Sequence, residues 1–278
     1  ILEVGLGGSY DATNVIDQPA LSVITPIDFD HKAFLGSDIR KIAGEKAGII
    51  KSGRPALTAI QRKICDDVIA KRAEDVGAPL YRLKAHFIDA MPEDLGLLGE
   101  HQRANAALAA MAVQLFGNST IIDQNAIFEG ARNVVWPARM QRLKDGPLTA
   151  LAPDQEIWLD GGHNPHAARA IARQLNNMPG RTALVAAMLA SKDATGYFMP
   201  FRQVRPEVFT LPNAPGHQGA EPQALAEAAT NAGLKAAAYD SLEAALKAAA
   251  TTGVDRILIC GSLYLAGEVL AQNGEPPA

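Results

Sequence analysis

An aspartate and a histidine stand at the centre of residues 158–167, which read Trp-Leu-Asp-Gly-Gly-His-Asn-Pro-His-Ala. Asp160 closes an apolar run that predicts a buried strand, and Asn164 followed by Pro165 is typical of a helix start. His163 is therefore expected beside a helix N-terminus, where free N–H groups and the helix dipole favour an anion. The pattern favours a bound ligand at this turn; the alternative is that the imidazoles only cap or pack.

Lys46 is a second candidate, because it is a cation on a predicted apolar helix face. The residues that share this face are Ile39, Ile42, Ala43 and Lys46. The helix is expected to follow a cap at Ser37 or Asp38 and to end at Gly48, which tolerates a left-handed conformation. An ammonium directed at a core is unfavourable unless it is paired, neutralised or chemically altered. The alternative is that the Lys46 side chain extends past its apolar neighbours to water.

Two further polar residues, Glu3 and His31, lie in or after apolar runs of the first half of the chain. The run at residues 1–4 reads as a buried strand, in which a carboxylate needs a partner. Residues at the ends of parallel strands gather at one edge of a sheet. A carboxylate and an imidazole there suit Mg²⁺, which shares its coordination with water and phosphate oxygens. His31 could instead be a turn histidine bonded to a neighbouring aspartate.

The glycine-rich turn that follows, over residues 5–14, is weak evidence for a phosphate site. A strand that runs into such a turn is how nucleotide-binding loops begin. However, no Lys-Ser/Thr pair completes a P-loop, and Tyr10 stands where a dinucleotide fingerprint has glycine. A tight turn with positive φ at one or two glycines explains the pattern equally well.

Alternating strands and helices must position these residues. In the first half, strands are predicted over residues 1–4, 21–25 and 54–59, an extended segment over 79–90, and helices over 37–48, 66–77, 99–117 and 122–133. Residues 134–141 break the periodicity and prolines follow, so we predict a boundary between domains 1–136 and 137–278.

The second half predicts a parallel sheet covered on both faces, with ligands at the carboxyl ends of its strands. Its predicted strands are 156–160, 182–188, 207–211, 236–239 and 256–260. Its predicted helices are 165–175, 222–232, 242–250 and 263–271.

The composition is that of a globular protein large enough for two modest domains, with 278 residues of which 48% are hydrophobic. A net charge of −4 gives no basic surface for nucleic acid or an anionic membrane. No apolar run approaches the roughly 20 residues that span a bilayer. Two distant cysteines suit a reducing cytosol, so we expect a cytoplasmic protein. Because the chain begins inside a strand-like run, we also expect residues to precede Ile1.

Seven blocks of this sequence, taken in order, resemble the folylpolyglutamate synthase/dihydrofolate synthase family of the Mur ligase superfamily. They include Glu-Lys-Ala-Gly-Ile-Ile-Lys, Trp-Pro-Ala-Arg-Met-Gln and Leu-Asp-Gly-Gly-His-Asn-Pro-His-Ala. The blocks are residues 3–14, 24–36, 45–51, 99–105, 136–141, 159–167 and 260–269. The resemblance implies an α/β fold in which a truncated Mur-ligase-type central ATPase domain precedes a Rossmann-like C-terminal glutamate-ligase domain.

The resemblance also implies an ATP- and Mg²⁺-dependent amide ligase. A pterin carboxylate would attack the γ-phosphate of ATP, and the α-amine of L-glutamate would then attack the acyl phosphate. Phosphorylation is needed because a carboxylate is a poor acylating agent, and cations offset charge on the transferring phosphoryl group. The implied substrates are dihydropteroate, tetrahydrofolate glutamates and L-glutamate. We expect a monomer without nucleic-acid or membrane partners.

By position, the resemblance gives several residues a role. Its Mg²⁺ ligands would be Glu3, His31 and Lys46, the last as a carbamate, which would remove the buried cation. The pterin contacts would be Tyr10, Asp11 and Ala12. The nucleotide contacts would be Asn105, Arg139, Asp160 and His163. Lys46, Asp160 and His163 would also be catalytic, and domain closure would bring Arg139 to the phosphates.

The chain departs from the family pattern in one respect. No Gly-x₄-Gly-Lys-Ser/Thr loop occurs in its 278 residues. We therefore expect this chain alone to lack ligase activity, and the activity to belong to a longer chain. Two alternatives stay open: a muramoyl-peptide ligase acting on a UDP-sugar, against which the Asp-Ala-Thr-Asn block speaks, and an inactive fragment that binds nucleotide or pterin.

Overall fold

The computed structural model describes residues 1–29, 38–116 and 122–276. The chain divides into two compact units. The first comprises Ile1–Gly96 and Glu100–Val134, and the second comprises Leu97–Gly99 and Val135–Ala278. Strands and helices occur in both units, which confirms the predicted α/β class. No helix in the described ranges is both long and apolar enough to cross a bilayer.

The first unit is built on a three-stranded parallel sheet. Its strands, in spatial order, are β1 (Ser22–Ile24), β2 (Ala56–Thr58) and β3 (Leu80–Arg82). Its helices are α1 (Ile39–Ala47), α2 (Lys63–Asp75), α3 (Ala85–Asp89), α4 (Glu100–Phe116) and α5 (Gln124–Asn133). Helices α1 and α2 connect consecutive strands, so each forms the crossover that a parallel pair requires.

Helix α1 forms largely as predicted. The Asp38 side chain accepts the N–H of Arg40 at 2.9 Å, and Ile42 is fully buried on the predicted face. The prediction for Gly48 is wrong in its reason, because its φ is −58° and therefore not left-handed. Glycine is needed there because a Cβ would lie 2.1 Å from the Ser9 Oγ. The candidate cap Ser37 lies outside the described residues.

Two predictions in the first unit are wrong. Residues 1–4 form no strand, and Ile1 and Leu2 are exposed, because no neighbouring strand pairs with this run. The extended segment predicted over residues 79–90 contains β3 but then turns into α3. A five-residue helix is too short to display a helical period in the sequence.

The second unit contains a six-stranded sheet. Its strands are β4 (Gln141–Arg142), β5 (Glu156–Asp160), β6 (Thr182–Ala186), β7 (Glu207–Thr210), β8 (Ala236–Ala238) and β9 (Arg256–Cys260). Their order across the sheet is β4-β5-β9-β6-β7-β8. Strand β4 is antiparallel to β5, and all other pairs are parallel. The predicted strands are thereby confirmed; β4, with two residues, was not predicted.

Helices cover both faces of this sheet. They are α6 (Pro165–Asn177), α7 (Ala194–Phe198), α8 (Pro222–Asn231), α9 (Leu242–Ala250) and α10 (Leu263–Gln272). One core joins the side chains of Leu159 and Ile257 to α9 and α10. The other joins those of Trp158 and Cys260 to α6, α7 and α8. Because side chains alternate along a strand, Asp160 shares the second face with Trp158.

Candidate functional site

Asp160 lies at the carboxyl end of β5 and is held by two backbone N–H groups. Its Oδ1 accepts from Gly162 at 2.7 Å and its Oδ2 from Met140 at 2.9 Å. The side chain of Asp160 is buried, with the residue only 6% exposed. Burial raises the pKa of Asp160, whereas the two N–H donors and the nearby Arg139 guanidinium act in the opposite direction. Both carboxylate oxygens are therefore used to fix the backbone around this turn.

Helix α6 begins directly after the turn, as predicted. The Asn164 side chain accepts the N–H of Ala167 at 2.9 Å, and Pro165 occupies the first turn. The His163 Nδ1 lies 3.1 Å from the Gly161 carbonyl oxygen. Because a carbonyl oxygen can only accept, Nδ1 carries the proton in this arrangement, and Nε2 is an acceptor in the neutral ring.

Arg139 lies against the same peptide. Its Nη1 donates to the Ala138 carbonyl at 3.3 Å and lies 3.5 Å from the point that a Cβ on Gly161 would occupy. Both neighbours of Arg139 have positive φ, 54° at Ala138 and 43° at Met140, although neither is glycine. The structure thus brings three predicted residues, Arg139, Asp160 and His163, together around Gly161.

Close packing leaves no room for side chains at this turn. A Cβ on Gly162 would lie 2.8 Å from the Ile171 Cδ1 and 2.9 Å from both the Ala167 Cβ and the Asp160 Oδ1. The partly exposed Arg139 guanidinium is a donor of the kind that binds phosphate or carboxylate oxygens. The turn can therefore hold an anion beside groups that its own backbone keeps in place.

The glycine-rich turn of the first unit is fixed to α1. The N–H of Ser9 donates to the Glu45 carbonyl at 2.9 Å, and a Cβ on Gly8 would lie 2.3 Å from that oxygen. Gly7 has the positive φ expected of a tight turn, 70°. Lys46, whose Cα lies 3.0 Å from the same Gly8 Cβ position, is half-buried. The turn therefore lies beside Lys46.

Asp11 uses its carboxylate within this turn. It accepts N–H groups from Gly5 and Leu6, each at 3.0 Å, and the N–H and hydroxyl of Thr13 at 2.9 and 2.6 Å. The Thr13 hydroxyl, followed by the backbone donors, lowers the pKa of Asp11 to about 2. Of its predicted partners in substrate binding, Tyr10 is 94% exposed and Ala12 is also exposed.

The predicted metal ligands Glu3, His31 and Lys46 stay a prediction, because the structure does not describe all three. Glu3 is exposed in a segment without regular structure, which corrects its placement in a buried strand. His31 lies outside the described residues. Within residues 1–29, 38–116 and 122–276, no group of three His, Cys, Asp or Glu side chains is arranged to hold a metal ion. Asn105 is exposed on α4, where it donates to the Gln102 Oε1 at 3.0 Å.

Sequence reasoning missed three residues near Asp160. The Gln141 Oε1 accepts the N–H of Ala138 at 2.9 Å. Cys260 pairs in register with Asp160, and Tyr197 of α7 is buried in the same core. Burial raises the pKa of the Cys260 thiol to about 12 and that of Tyr197 well above its ordinary value. Cys260 and Gln141 lie within the resembling blocks, which was the only signal in the sequence.

Comparison with known proteins agrees with this architecture. Residues 138–263 match the family described as Mur ligase, glutamate ligase domain. The folylpolyglutamate synthase of Lacticaseibacillus casei is 32% identical over 294 positions, which cover 97% of this chain and 65% of that protein. The dihydrofolate synthase/folylpolyglutamate synthase of Bacillus subtilis is 34% identical, covering 69% of this chain and 48% of that protein. The chain thus spans about half to two thirds of the length of these relatives.

Comparison with solved structures finds the same similarity. The folylpolyglutamate synthase of Mycobacterium tuberculosis, complexed with ADP and AMPPCP, superposes with a TM-score of 0.86 at 28% identity, over 99% of this chain and 68% of that one. The bifunctional enzyme of Yersinia pestis, complexed with AMPPNP and a manganese ion, gives a TM-score of 0.76 at 27% identity, over 96% of this chain and 64% of that one. In its sequence blocks and its fold, the chain is similar to the folylpolyglutamate synthases and dihydrofolate synthases, and its residues 138–263 match the glutamate ligase domain of the Mur ligases.

Proposed function

We propose that this protein acts as an ATP-dependent amide ligase that joins L-glutamate to dihydropteroate or to folate polyglutamates. The observation that carries the proposal is the cluster of Arg139, Asp160 and His163 around Gly161, in a domain that matches the glutamate-ligase family. Such a cluster suits a reaction in which anionic groups are transferred, because a fixed guanidinium stabilises charge without reorganising.

The reaction would proceed in two balanced steps. A substrate carboxylate oxygen attacks the γ-phosphorus of ATP, ADP leaves, and an acyl phosphate forms. The amine of glutamate then attacks the acyl carbon, phosphate leaves with the former carboxylate oxygen, and the amine loses a proton. Arg139 would bind phosphate oxygens, His163 would accept the amine proton at Nε2, and Asp160 would hold both in position.

For the first half, residues 1–136, we propose the role of an ATP-binding domain ahead of a glutamate-ligase domain at 137–278. Tyr10, Asp11 and Ala12 would meet the pterin and Asn105 the nucleotide. Mg²⁺ would supply charge compensation at the phosphates. Its proposed ligands, Glu3, His31 and a carbamylated Lys46, rest on the sequence resemblance.

The partners and location follow from the same proposal. The substrates are small molecules, and a net charge of −4 gives the chain no overall basic character that would attract nucleic acid or an anionic membrane. We propose a cytoplasmic monomer, which size-exclusion chromatography with light scattering would test. A dimer mass would overturn the monomer.

The decisive experiment follows the carboxylate oxygen. The full-length protein is incubated with ATP, Mg²⁺, L-glutamate and dihydropteroate whose carboxylate carries ¹⁸O. We expect a glutamylated product and one ¹⁸O atom in each released phosphate. A product without ¹⁸O in the phosphate would exclude the acyl phosphate, and turnover only of a UDP-muramoyl peptide would replace the folate assignment. Arg139→Lys, which keeps the charge but loses the planar fork, should slow product formation.

The absence of a Walker A loop from the 278 residues favours a second candidate for this chain alone: binding without turnover. Isothermal titration of this chain with ADP and with dihydropteroate, beside the ligation assay, separates the two. Binding without product supports the second candidate, and product formation by this chain excludes it.

A further inference from the structure

We propose that Gln141 is a positioning residue for Arg139. Together with Asp160 it fastens the turn that presents the guanidinium, hereafter the Arg139 turn (residues 138–140). The inference rests on the proposed function only for the role of Arg139; the fastening itself is a property of the second unit.

The Arg139 turn adopts a backbone that its sequence disfavours. Ala138 and Met140 have φ values of 54° and 43°, a region that side chains with a Cβ avoid. Such a conformation persists only when the surrounding structure imposes it. The contacts of the turn must therefore supply the constraint.

Three hydrogen bonds constrain the backbone of the Arg139 turn. The Ala138 N–H donates to the Gln141 Oε1 at 2.9 Å, and the Met140 N–H donates to the Asp160 Oδ2 at 2.9 Å. The Ala138 carbonyl accepts the N–H of Gly161 at 2.9 Å. Each residue with positive φ therefore has its own side-chain acceptor.

Packing holds the same two residues on opposite sides. Ala138 belongs to the core beneath α9 and α10, and Met140 belongs to the core beneath α6, α7 and α8. Both residues are only 4% exposed, whereas Arg139 between them is half-buried. Packing therefore fixes the residues at both ends of the turn, and Arg139 is the residue of the turn that is partly exposed.

Gln141 is suited to this task because the sheet fixes its backbone. It is the first residue of β4 and pairs with Leu159 of β5. From this fixed point its side chain reaches back to Ala138. Without that acceptor, the buried N–H of Ala138 loses its partner and the left-handed conformation loses one of its constraints.

The test replaces Gln141 by Met, which keeps the length and removes the acceptor. In the full-length enzyme we expect kcat to fall about fivefold to tenfold, with the KM for glutamate unchanged. Amide hydrogen exchange at Ala138, followed by NMR in this chain, should accelerate by a similar factor. Gln141→Glu retains an acceptor and should recover most of what Gln141→Met loses.

The matched control is Gln223→Met on the exposed surface of α8, where no change is expected. The proposal is wrong if Gln141→Met leaves kcat and the Ala138 exchange rate unchanged, or if Gln141→Glu fails as badly as Gln141→Met. If the wild-type protein forms no product, the proposed function is wrong, while the exchange rate at Ala138 still decides whether Gln141 fastens the turn.

Discussion

The glycine-rich turns of the two units use an aspartate in the same manner but in different surroundings. Asp11 accepts backbone N–H groups from Gly5 and Leu6, just as Asp160 accepts them from Met140 and Gly162. Asp11 is partly exposed and its pKa is lowered to about 2, mainly by the Thr13 hydroxyl. Asp160 is buried and its pKa is raised.

The difference shows that hydrogen bonding and burial must be weighed against each other. Donated N–H groups stabilise an ionised carboxylate in both turns, but removal from water disfavours the charge at Asp160 more strongly. Water can replace lost partners in the exposed turn. In the buried turn it cannot, so the second aspartate is the more critical residue for structure.

The largest effect on the free energy of unfolding is expected when each of the two carboxylates is removed in a separate variant. Asp160→Ala leaves two buried N–H groups without their acceptor and should lower the free energy of unfolding by about 2–4 kcal/mol. Asp11→Ala should lower the free energy of unfolding by clearly less, because water reaches the N–H donors of its turn. Urea denaturation of both variants measures this. Equal losses of unfolding free energy in the two variants would contradict the conclusion that Asp160 is the more critical residue for structure.

Adding a methyl group tests how closely each turn is packed. Gly162→Ala places a Cβ within 2.9 Å of Ile171, Ala167 and Asp160 and should destabilise the protein by about 1–3 kcal/mol. Gly8→Ala in the first turn places a Cβ 2.3 Å from the backbone carbonyl oxygen of Glu45, which cannot rotate away as a side chain can, so it should destabilise the protein at least as much. Gly267→Ala, with open space in helix α10, is the control and should be neutral or stabilising in thermal unfolding. A neutral Gly162→Ala would contradict the packing described.

A pH titration should reveal opposite behaviour of the two aspartates. The stability contributed by Asp11 is present above its ordinary value near 3.8 and is lost as pH falls through about 2. Because the pKa of Asp160 is raised, its contribution is largest below 3.8 and declines as pH rises through the folded-state pKa. Carboxyl ¹³C NMR measures both pKa values directly.

The same titration identifies the cause at Asp11. Thr13→Val should raise the pKa of Asp11 towards 3.8, because the largest stabilising donor is lost. Thr251→Val, whose hydroxyl bonds the Ala248 carbonyl, should leave it unchanged. Shifts in the same direction for Asp11 and Asp160 would contradict the role assigned to burial.

The smallest effect concerns the two thiols, of which each unit has one. Cys65 and Cys260 are buried, and burial raises the pKa of both, that of Cys260 to about 12. Neither should react with a thiol reagent at pH 8 before the surrounding structure opens. Asp160→Ala should speed the labelling of Cys260 more than that of Cys65. Rapid labelling of native protein would show that these sites are not closed.

Local features of the sequence determined several strands and helix starts and the position of two candidate site residues. Apolar runs and caps predicted β5, β9 and the starts of α1 and α6, because hydrophobic periodicity and capping involve neighbouring residues. The same signals placed Asp160 and His163 at one turn. They failed for residues 1–4, because an apolar run becomes a strand only when another strand pairs with it.

The tertiary structure alone decided the rest. The acceptor of the Met140 N–H is Asp160, far along the chain, and the need for glycine at position 48 comes from Ser9 in a distant segment. The raised pKa of Asp160 depends on the core that covers it. Sequence spacing reports neighbours along the chain, whereas desolvation and close packing depend on residues that only folding brings together.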